Sequence, residues 1–330
     1  MKKISESQLS SNDILNWLLQ FKTKSIVTEP DFIRSTFSNH LSTLYKEEPE
    51  YASAENLSLL KFDPSVYQGT MMSPVIEMAD KIKSTDFFSH FIIHGSTSDL
   101  SVIPGWSDFD ALAVVKSSAL KNDRFEEFFK LCVDLDKQMR RIDKFQHHGI
   151  HYIHEHELLS YPQLYLPKEL LSYGKCLVGT DTLFLSSVDS SENELKRFKG
   201  IVRMLKTASD SGTLFHHGLN GSFLREDFKD ENTMYQLKYF LCVIMLIPSL
   251  WLNLKGEYCS KADSFEMIRK YFDKEDLEII EKASTIRSMW GINSESSNIE
   301  DNKIPDWVQG ILEKDYFSRA YKLSKMLLEN

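Results

Sequence analysis

The spacing of apolar positions along the chain changes character at Phe87. Before it, Leu15, Leu18, Leu19 and Phe21, and later Ile76, Met78, Ala79 and Ile82, recur at roughly helical steps. The first 84 residues therefore predict mainly helix, ended by the turn-like Lys83-Ser84-Thr85-Asp86. From Phe87 the signal is strand. Phe91-Ile92-Ile93-His94 is a short apolar run stopped by Gly95, and a polar loop with Pro104-Gly105 follows. The chain then returns as a second strand, Asp108-Phe109-Asp110-Ala111-Leu112-Ala113-Val114-Val115. Phe125, Phe128, Phe129, Cys132, Leu135, Met139 and Ile142 recur at three- and four-residue steps, the mark of an amphipathic helix. His151-Tyr152-Ile153-His154 predicts a third strand, Lys168 to Ser172 a short helix, and Cys176-Leu177-Val178 another strand before Gly179.

The small, polar stretch Ser186-Ser187-Val188-Asp189-Ser190-Ser191 predicts a domain boundary. Everything after it reads as helix: Gln236 to Leu254, then Ile279, Ile280, Ala283, Ile286 and Trp290, then Trp307, Ile311, Phe317, Ala320, Leu323 and Leu327. Asn293 to Lys303 predicts a loop. The expectation is an α+β chain with a small mixed sheet: an N-terminal helical segment over 1–86, an α/β domain over 87–190 and an all-helical domain over 191–330.

Composition narrows the partners. The 330 residues carry Lys+Arg 39 against Asp+Glu 48, a net charge of -9. An acidic chain is a poor non-specific binder of long nucleic acid or anionic membrane, because counterion release needs clustered cations. Cys132, Cys176, Cys242 and Cys259 form no CxxC pair, which suits a reducing compartment. The first residues, Met1-Lys2-Lys3-Ile4-Ser5-Glu6-Ser7, lack the apolar core of a signal peptide. Tyr239 to Leu254 is short for a membrane span and contains Pro248, Ser249 and Asn253, so it predicts a buried helix and a cytoplasmic protein.

The candidate chemistry lies where the second strand begins. Side chains alternate along a strand, so Asp108 and Asp110 point to one side, about 6–7 Å apart. Two carboxylates at that spacing repel unless a cation lies between them. Hard oxygen ligands on one face suit Mg²⁺ (or Mn²⁺), which takes one or two protein carboxylates together with substrate phosphates. Gly95 lets backbone approach a phosphate, and Ser96 offers a hydroxyl and an N–H to its oxygens. No GxSxG elbow, P-loop or dinucleotide fingerprint is present, so hydrolase, Walker-type ATPase and Rossmann readings drop out.

The order His94-Gly95-Ser96-Thr97, then Pro104-Gly105-Trp106-Ser107-Asp108-Phe109-Asp110-Ala111-Leu112, resembles the signature of the DNA polymerase β-like nucleotidyltransferase superfamily. Leu166-Pro167-Lys168-Glu169-Leu170-Leu171 and Gly174-Lys175-Cys176-Leu177-Val178-Gly179 resemble the way such catalytic domains end. The helical remainder is similar to the substrate-side domain of the aminoglycoside adenylyltransferases. The resemblance covers about residues 87–185. It implies a nucleotidyltransferase fold and transfer of a nucleoside monophosphate, most plausibly AMP from ATP, to a hydroxyl of a small molecule or protein. Asp108 and Asp110 would then hold the metals, and Gly95, Ser96, Ser107 and Lys206 would touch the NTP. A tRNA end stays open as acceptor.

The family adds a third carboxylate on the strand after the long helix. Here His151 stands at that place, while Glu155 shares its alternating face nearer the strand's end. A neutral imidazole can accept a proton from an acceptor hydroxyl but brings no charge to a second metal. His151 is therefore either the base or a wall residue. A catalytically degenerate nucleotide-binding or partner-binding protein, and the nucleotidyltransferase half of a toxin–antitoxin pair, are the competing expectations. Lys196, Lys199, Arg203 and Lys206 form one basic helical stripe, either a solvated face or a surface turned to a triphosphate. His154 and His156 share a face, yet no HExxH motif or nearby cysteine supports zinc.

Overall fold

The computed structural model describes residues 53–121, 124–143, 146, 149–161, 166–187, 191–212, 214, 234–259, 261–293, 304–309, 311 and 315–329. The helical expectation around Leu15 and the expected loop after Asn293 lie outside these residues. The chain divides into two compact units, one of residues 1–102 and 107–188, the other of 103–106 and 189–330.

The first unit is built on a five-stranded mixed sheet. Its strands are β2 (Leu60–Lys61), β3 (Phe88–His94), β4 (Asp110–Val115), β5 (His151–His154) and β6 (Lys175–Val178), in the order β2-β6-β3-β4-β5. β3 runs antiparallel to β4 and β6, while β4 and β5 are parallel. A separate antiparallel ribbon joins β1 (Ser53–Ser58) to β7 (Thr182–Ser187).

Alternation along the strands sends two sets of side chains to opposite faces. Phe91, Ile93, Phe109, Ala111, Ala113, Val115 and Tyr152 pack with helices α1 (Pro74–Lys83) and α3 (Phe125–Ile142). The short helix α2 lies between them at Gly95–Asp99. α1 opens on Pro74, whose missing N–H costs nothing there, and carries Lys81 and Lys83 in its last turn. In α3 the predicted stripe from Phe125 to Ile142 is buried throughout. Phe128 meets Phe87 and Phe88 edge to face at 5.7 and 5.9 Å between ring centres. Such pairs add about 0.5–1.5 kcal/mol to what their area contributes. On the other face Ile92, Leu112, Val114 and Ile153 pack with Tyr161, Leu171, Leu183 and Leu185.

Two expectations need correction. Residues 53–58 and 60–61, assigned to a helical segment, form β1 and β2, because Leu57 and Leu59 alternate with exposed neighbours and the backbone of the two strands pairs with β7 and β6. Ser186, assigned to a boundary stretch, is a buried residue of β7, so the units part just beyond it.

The second unit is helical: α4 (Ser191–Ser211), α5 (Met234–Leu254), α6 (Lys261–Met267), α7 (Lys274–Asn293), α8 (Asp306–Gln309) and α9 (Tyr316–Glu329). Within α5, Gln236–Leu254 is long and apolar enough to cross a membrane, but 72% of its apolar window is buried inside the protein. It reads as a core helix. Residues Ile103–Trp106 belong to this unit, where Trp106 stands edge-on to Trp290 at 4.9 Å and Trp290 Nε1 donates to Gly105 O at 3.0 Å.

Two glycine substitutions test this packing with opposite signs. A Cβ at Gly174 would lie 2.6 Å from Ile92 Cγ2 and 2.9 Å from Leu171 O. Gly174→Ala is therefore expected to destabilise by about 1–3 kcal/mol. A Cβ at Gly200, inside α4, meets nothing within 4 Å. Gly200→Ala is expected to stabilise by about 0.5–1 kcal/mol, and urea titrations of the two variants decide both.

Candidate functional site

β3 ends where Gly95 takes a left-handed φ of +60°, and α2 turns the chain back. Leu100, with φ 64°, closes that turn and is the one non-glycine residue with positive φ among the described residues. A left-handed leucine costs about 1–2 kcal/mol. The turn is pinned from three sides. Thr97 Oγ1 donates to Asp108 O at 3.2 Å, Ser98 Oγ donates to Tyr173 O at 2.7 Å, and Tyr67 OH donates to Thr97 O at 3.0 Å. Lys175 Nζ sits 3.3 Å from Tyr67 OH. Burial, followed by the Asp99 charge, pushes the Tyr67 hydroxyl up to about 12, so it stays a donor at neutral pH.

The antiparallel register sets His94 opposite Asp110, which brings the acid to the turn. A Cβ at Gly95 would lie 2.5 Å from Asp110 Oδ2 and 3.4 Å from Asp110 Cγ. Glycine is thus required twice at this position, for its backbone angle and for the carboxylate that fills its side-chain space. β4 begins at Asp110, two residues later than the sequence pattern predicts: Ala111 and Ala113 point into the α1/α3 core, so Asp110 shares the opposite face with Leu112 and Val114, while Asp108 lies just before the strand. Both acids are half-buried, Ser96 is half-buried, and Gly95 is exposed. Ser107 is buried directly before Asp108.

Gln146 was not legible as a site residue. It lies beyond the end of α3, is 4% exposed, and accepts from Phe109 N–H at 2.9 Å while donating to Phe109 O at 3.1 Å. Its amide holds the peptide between the two acids as a neighbouring strand would.

β5 pairs with β4 from Leu112↔His151 onward. Ile153 packs on the Leu112 and Val114 face, so His151, two residues before it, shares that face with Asp110. It stands one strand over and two residues further along than Asp110, about 8 Å away between Cα atoms by strand geometry. Glu155 goes elsewhere. Its carboxylate accepts from the N–H and the hydroxyl of Ser117, beyond the far end of β4. Burial pushes the Glu155 carboxyl up, but the two Ser117 bonds and the neighbouring imidazoles outweigh it and hold the group below its ordinary value. The described residues hold no convergent group of three or more His, Cys, Asp or Glu side chains.

Lys206 lies in α4, exposed, and its ammonium pairs with Asp210 one turn on. Lys196 pairs likewise with Glu192. Exposed pairs of this kind contribute a few tenths of a kcal/mol. The structure therefore gives two residues of the basic stripe partners on their own helix. His154 is buried, its ring stacked on His156 at 5.1 Å. Its Nδ1 accepts from His156 N–H, which leaves Nε2 to donate to Ser117 Oγ at 3.3 Å. That arrangement caps the turn that follows β5.

No protein-family model and no curated protein sequence matches the chain, so the geometry of the site carries the functional reading.

Two outcomes follow from this geometry. Gly95→Ala is expected to cost about 1–3 kcal/mol, from the left-handed backbone and the clash with Asp110. In a double-mutant cycle, Asp110→Ala should relieve part of that cost, giving a coupling on the order of 0.5–3 kcal/mol; strict additivity would mean the acid does not fill the glycine's space. The second concerns acid. Burial, then the His156 charge, lowers His154 from 6.5 to about 4, with Glu155 opposing. The unfolded chain then binds this proton first, so stability falls as pH drops from about 6.5 to about 4, by on the order of 2–3 kcal/mol. His154→Gln should flatten that part of the stability–pH curve in urea melts.

Proposed function

We propose that the acid face of β4 and the Gly95 turn bind a divalent cation and the polyphosphate of an NTP, and that the protein transfers a nucleoside monophosphate, most plausibly AMP, to a hydroxyl. The observation that carries this reading is the seating of the Asp110 carboxylate in the space left by Gly95. It joins an anion-accepting turn to a cation-holding acid within one contact.

The residues fit Mg²⁺ or Mn²⁺. Asp108 and Asp110 offer hard oxygens two residues apart where β4 opens, and a small octahedral cation that keeps waters and phosphate oxygens needs only one or two protein carboxylates. Such an ion, when bound, neutralises triphosphate charge and stabilises the attacking and leaving oxygens. Gly95 lets the polyphosphate approach the backbone, and Ser96 donates N–H and hydroxyl to its oxygens. The resemblance also assigns Ser107, buried directly before Asp108, to the nucleotide contacts. The acceptor oxygen forms a bond to the α-phosphorus while the bridging P–O bond breaks, and pyrophosphate leaves with the electron pair. His151, on the strand beside β4, takes the acceptor's proton. A cytoplasmic location, where ATP and Mg²⁺ are abundant, accords with this chemistry.

A second reading has one specific observation in its favour. The third acidic position holds His151, and Glu155, the nearest acid along that strand, is committed to Ser117. A site with two acids favours binding over turnover, as in a nucleotide-binding protein that has lost catalysis.

An NTP that binds only the folded chain raises its melting temperature, by the equivalent of about 2.7 kcal/mol at one hundred times Kd. ATP is expected to stabilise the wild type only with Mg²⁺, and an Asp108→Asn, Asp110→Asn variant should lose the effect. Stabilisation by no NTP, or stabilisation indifferent to Mg²⁺ and to the acids, would sink both readings. Pyrophosphate release with candidate acceptors separates them: His151→Ala should abolish turnover yet leave the ATP shift unchanged. An AMP adduct on a protein partner would identify the acceptor as a protein, as in a toxin–antitoxin pair.

A further inference from the structure

β4 opens on Asp110, with Asp108 just before it; its pairing with β3 ends at His94↔Asp110, where the chain turns away, and its pairing with β5 begins only at Leu112↔His151. The segment from Asp108 to Asp110 thus spans the end of the ladder, where strand geometry needs other support. Side chains supply it. Thr97 Oγ1 donates to Asp108 O, and the Gln146 amide makes both bonds to Phe109.

The Gln146 contacts differ in kind from an ordinary loop bond. One amide receives the N–H and donates to the C=O of a single residue, the pattern a paired β-residue makes. Residue and clamp are both buried, Phe109 fully and Gln146 to 4% exposure. Gln146 is itself set by a turn at the end of α3, with Asp143 N–H donating to Met139 O at 3.1 Å and Gln146 N–H to Asp143 O at 3.3 Å. A rotation about the Phe109 backbone would swing Asp108 and Asp110 apart. With both backbone groups of Phe109 held, the clamp opposes that rotation.

We infer that Gln146 is the positioning residue of the acid pair: its amide fixes the Phe109 peptide so that both carboxylates face one cation. This rests on the acid pair being the cation site proposed above. Gln146 touches neither substrate nor cation, and acts through Phe109.

The test measures Mn²⁺ affinity in the presence of ATP, from the electron paramagnetic resonance of free Mn²⁺, with the full chain. Gln146→Met fills the same space and removes both bonds; Phe109→Leu removes core packing but keeps both bonds. Both variants should melt earlier than wild type. Only Gln146→Met is expected to bind Mn²⁺ more weakly, by about tenfold, with Phe109→Leu within about twofold of wild type. Should Gln146→Met fail to fold, Gln146→Glu retains the acceptor for Phe109 N–H, and a loss of about threefold is expected. Wild-type affinity in the Gln146 variants, or affinity lost in proportion to melting temperature in all of them, overturns the inference. Absence of Mn²⁺ binding by wild type is a different result: it removes the cation site itself, and this inference with it.

Discussion

A carboxylate pressed into the space of a missing side chain organises this protein's candidate site. Asp110 can lie against Gly95 only if β3 and β4 are antiparallel in the register His94↔Asp110, and only if residue 95 has both a left-handed backbone and no Cβ. Each of those conditions draws on the rest of the first unit. The register is held by the two-sided core, with Phe91, Ile93 and Ala113 on the helix face and Ile92, Leu112 and Val114 on the other. A slip of one residue would exchange the faces and turn Asp110 toward the core.

The same constraint explains why the turn after Gly95 is so heavily pinned. Thr97, Ser98 and Tyr67 each spend a hydroxyl on a backbone carbonyl, and Leu100 accepts a strained left-handed conformation to close it. Such strain persists only where the surroundings over-determine it, and it clusters at binding sites. The second unit is held together differently, by a nearly all-apolar helix α5 and by aromatic contacts such as Trp106 with Trp290. Lys196 and Lys206 pair along α4 itself, so local charge pairs account for two of the four residues of the basic stripe.

Local periodicity exposed the elements that carry the site. β3, β4, β5 and α3 are all visible as runs or stripes, because each buries a face against a continuous core and so must repeat at its own period. Asp108, Asp110, Gly95 and Ser96 could be singled out because acids opening an apolar strand and a glycine ending one are local anomalies. What escaped the sequence is non-local. β1 and β2 are short, and their identity depends on partners more than a hundred residues away, so a helical expectation prevailed over residues 53–61. Gln146 looked like any loop glutamine, since its bonds to Phe109 join residues 37 apart. Glu155 kept the right alternation with His151, yet one hydroxyl and one N–H at Ser117 divert it, and no spacing rule reveals that.

The account stands on Asp108 and Asp110 sharing one divalent ion beside the Gly95 turn. A crystal structure of the full chain grown with Mn²⁺ and a non-hydrolysable ATP analogue, with anomalous diffraction collected at the manganese edge, tests this most directly. An anomalous peak within coordinating distance of both carboxylates, with phosphate oxygens reaching it from the side of Ser96, is the predicted result. A peak elsewhere, or an ordered nucleotide whose phosphates lie away from the Gly95 turn, would contradict it.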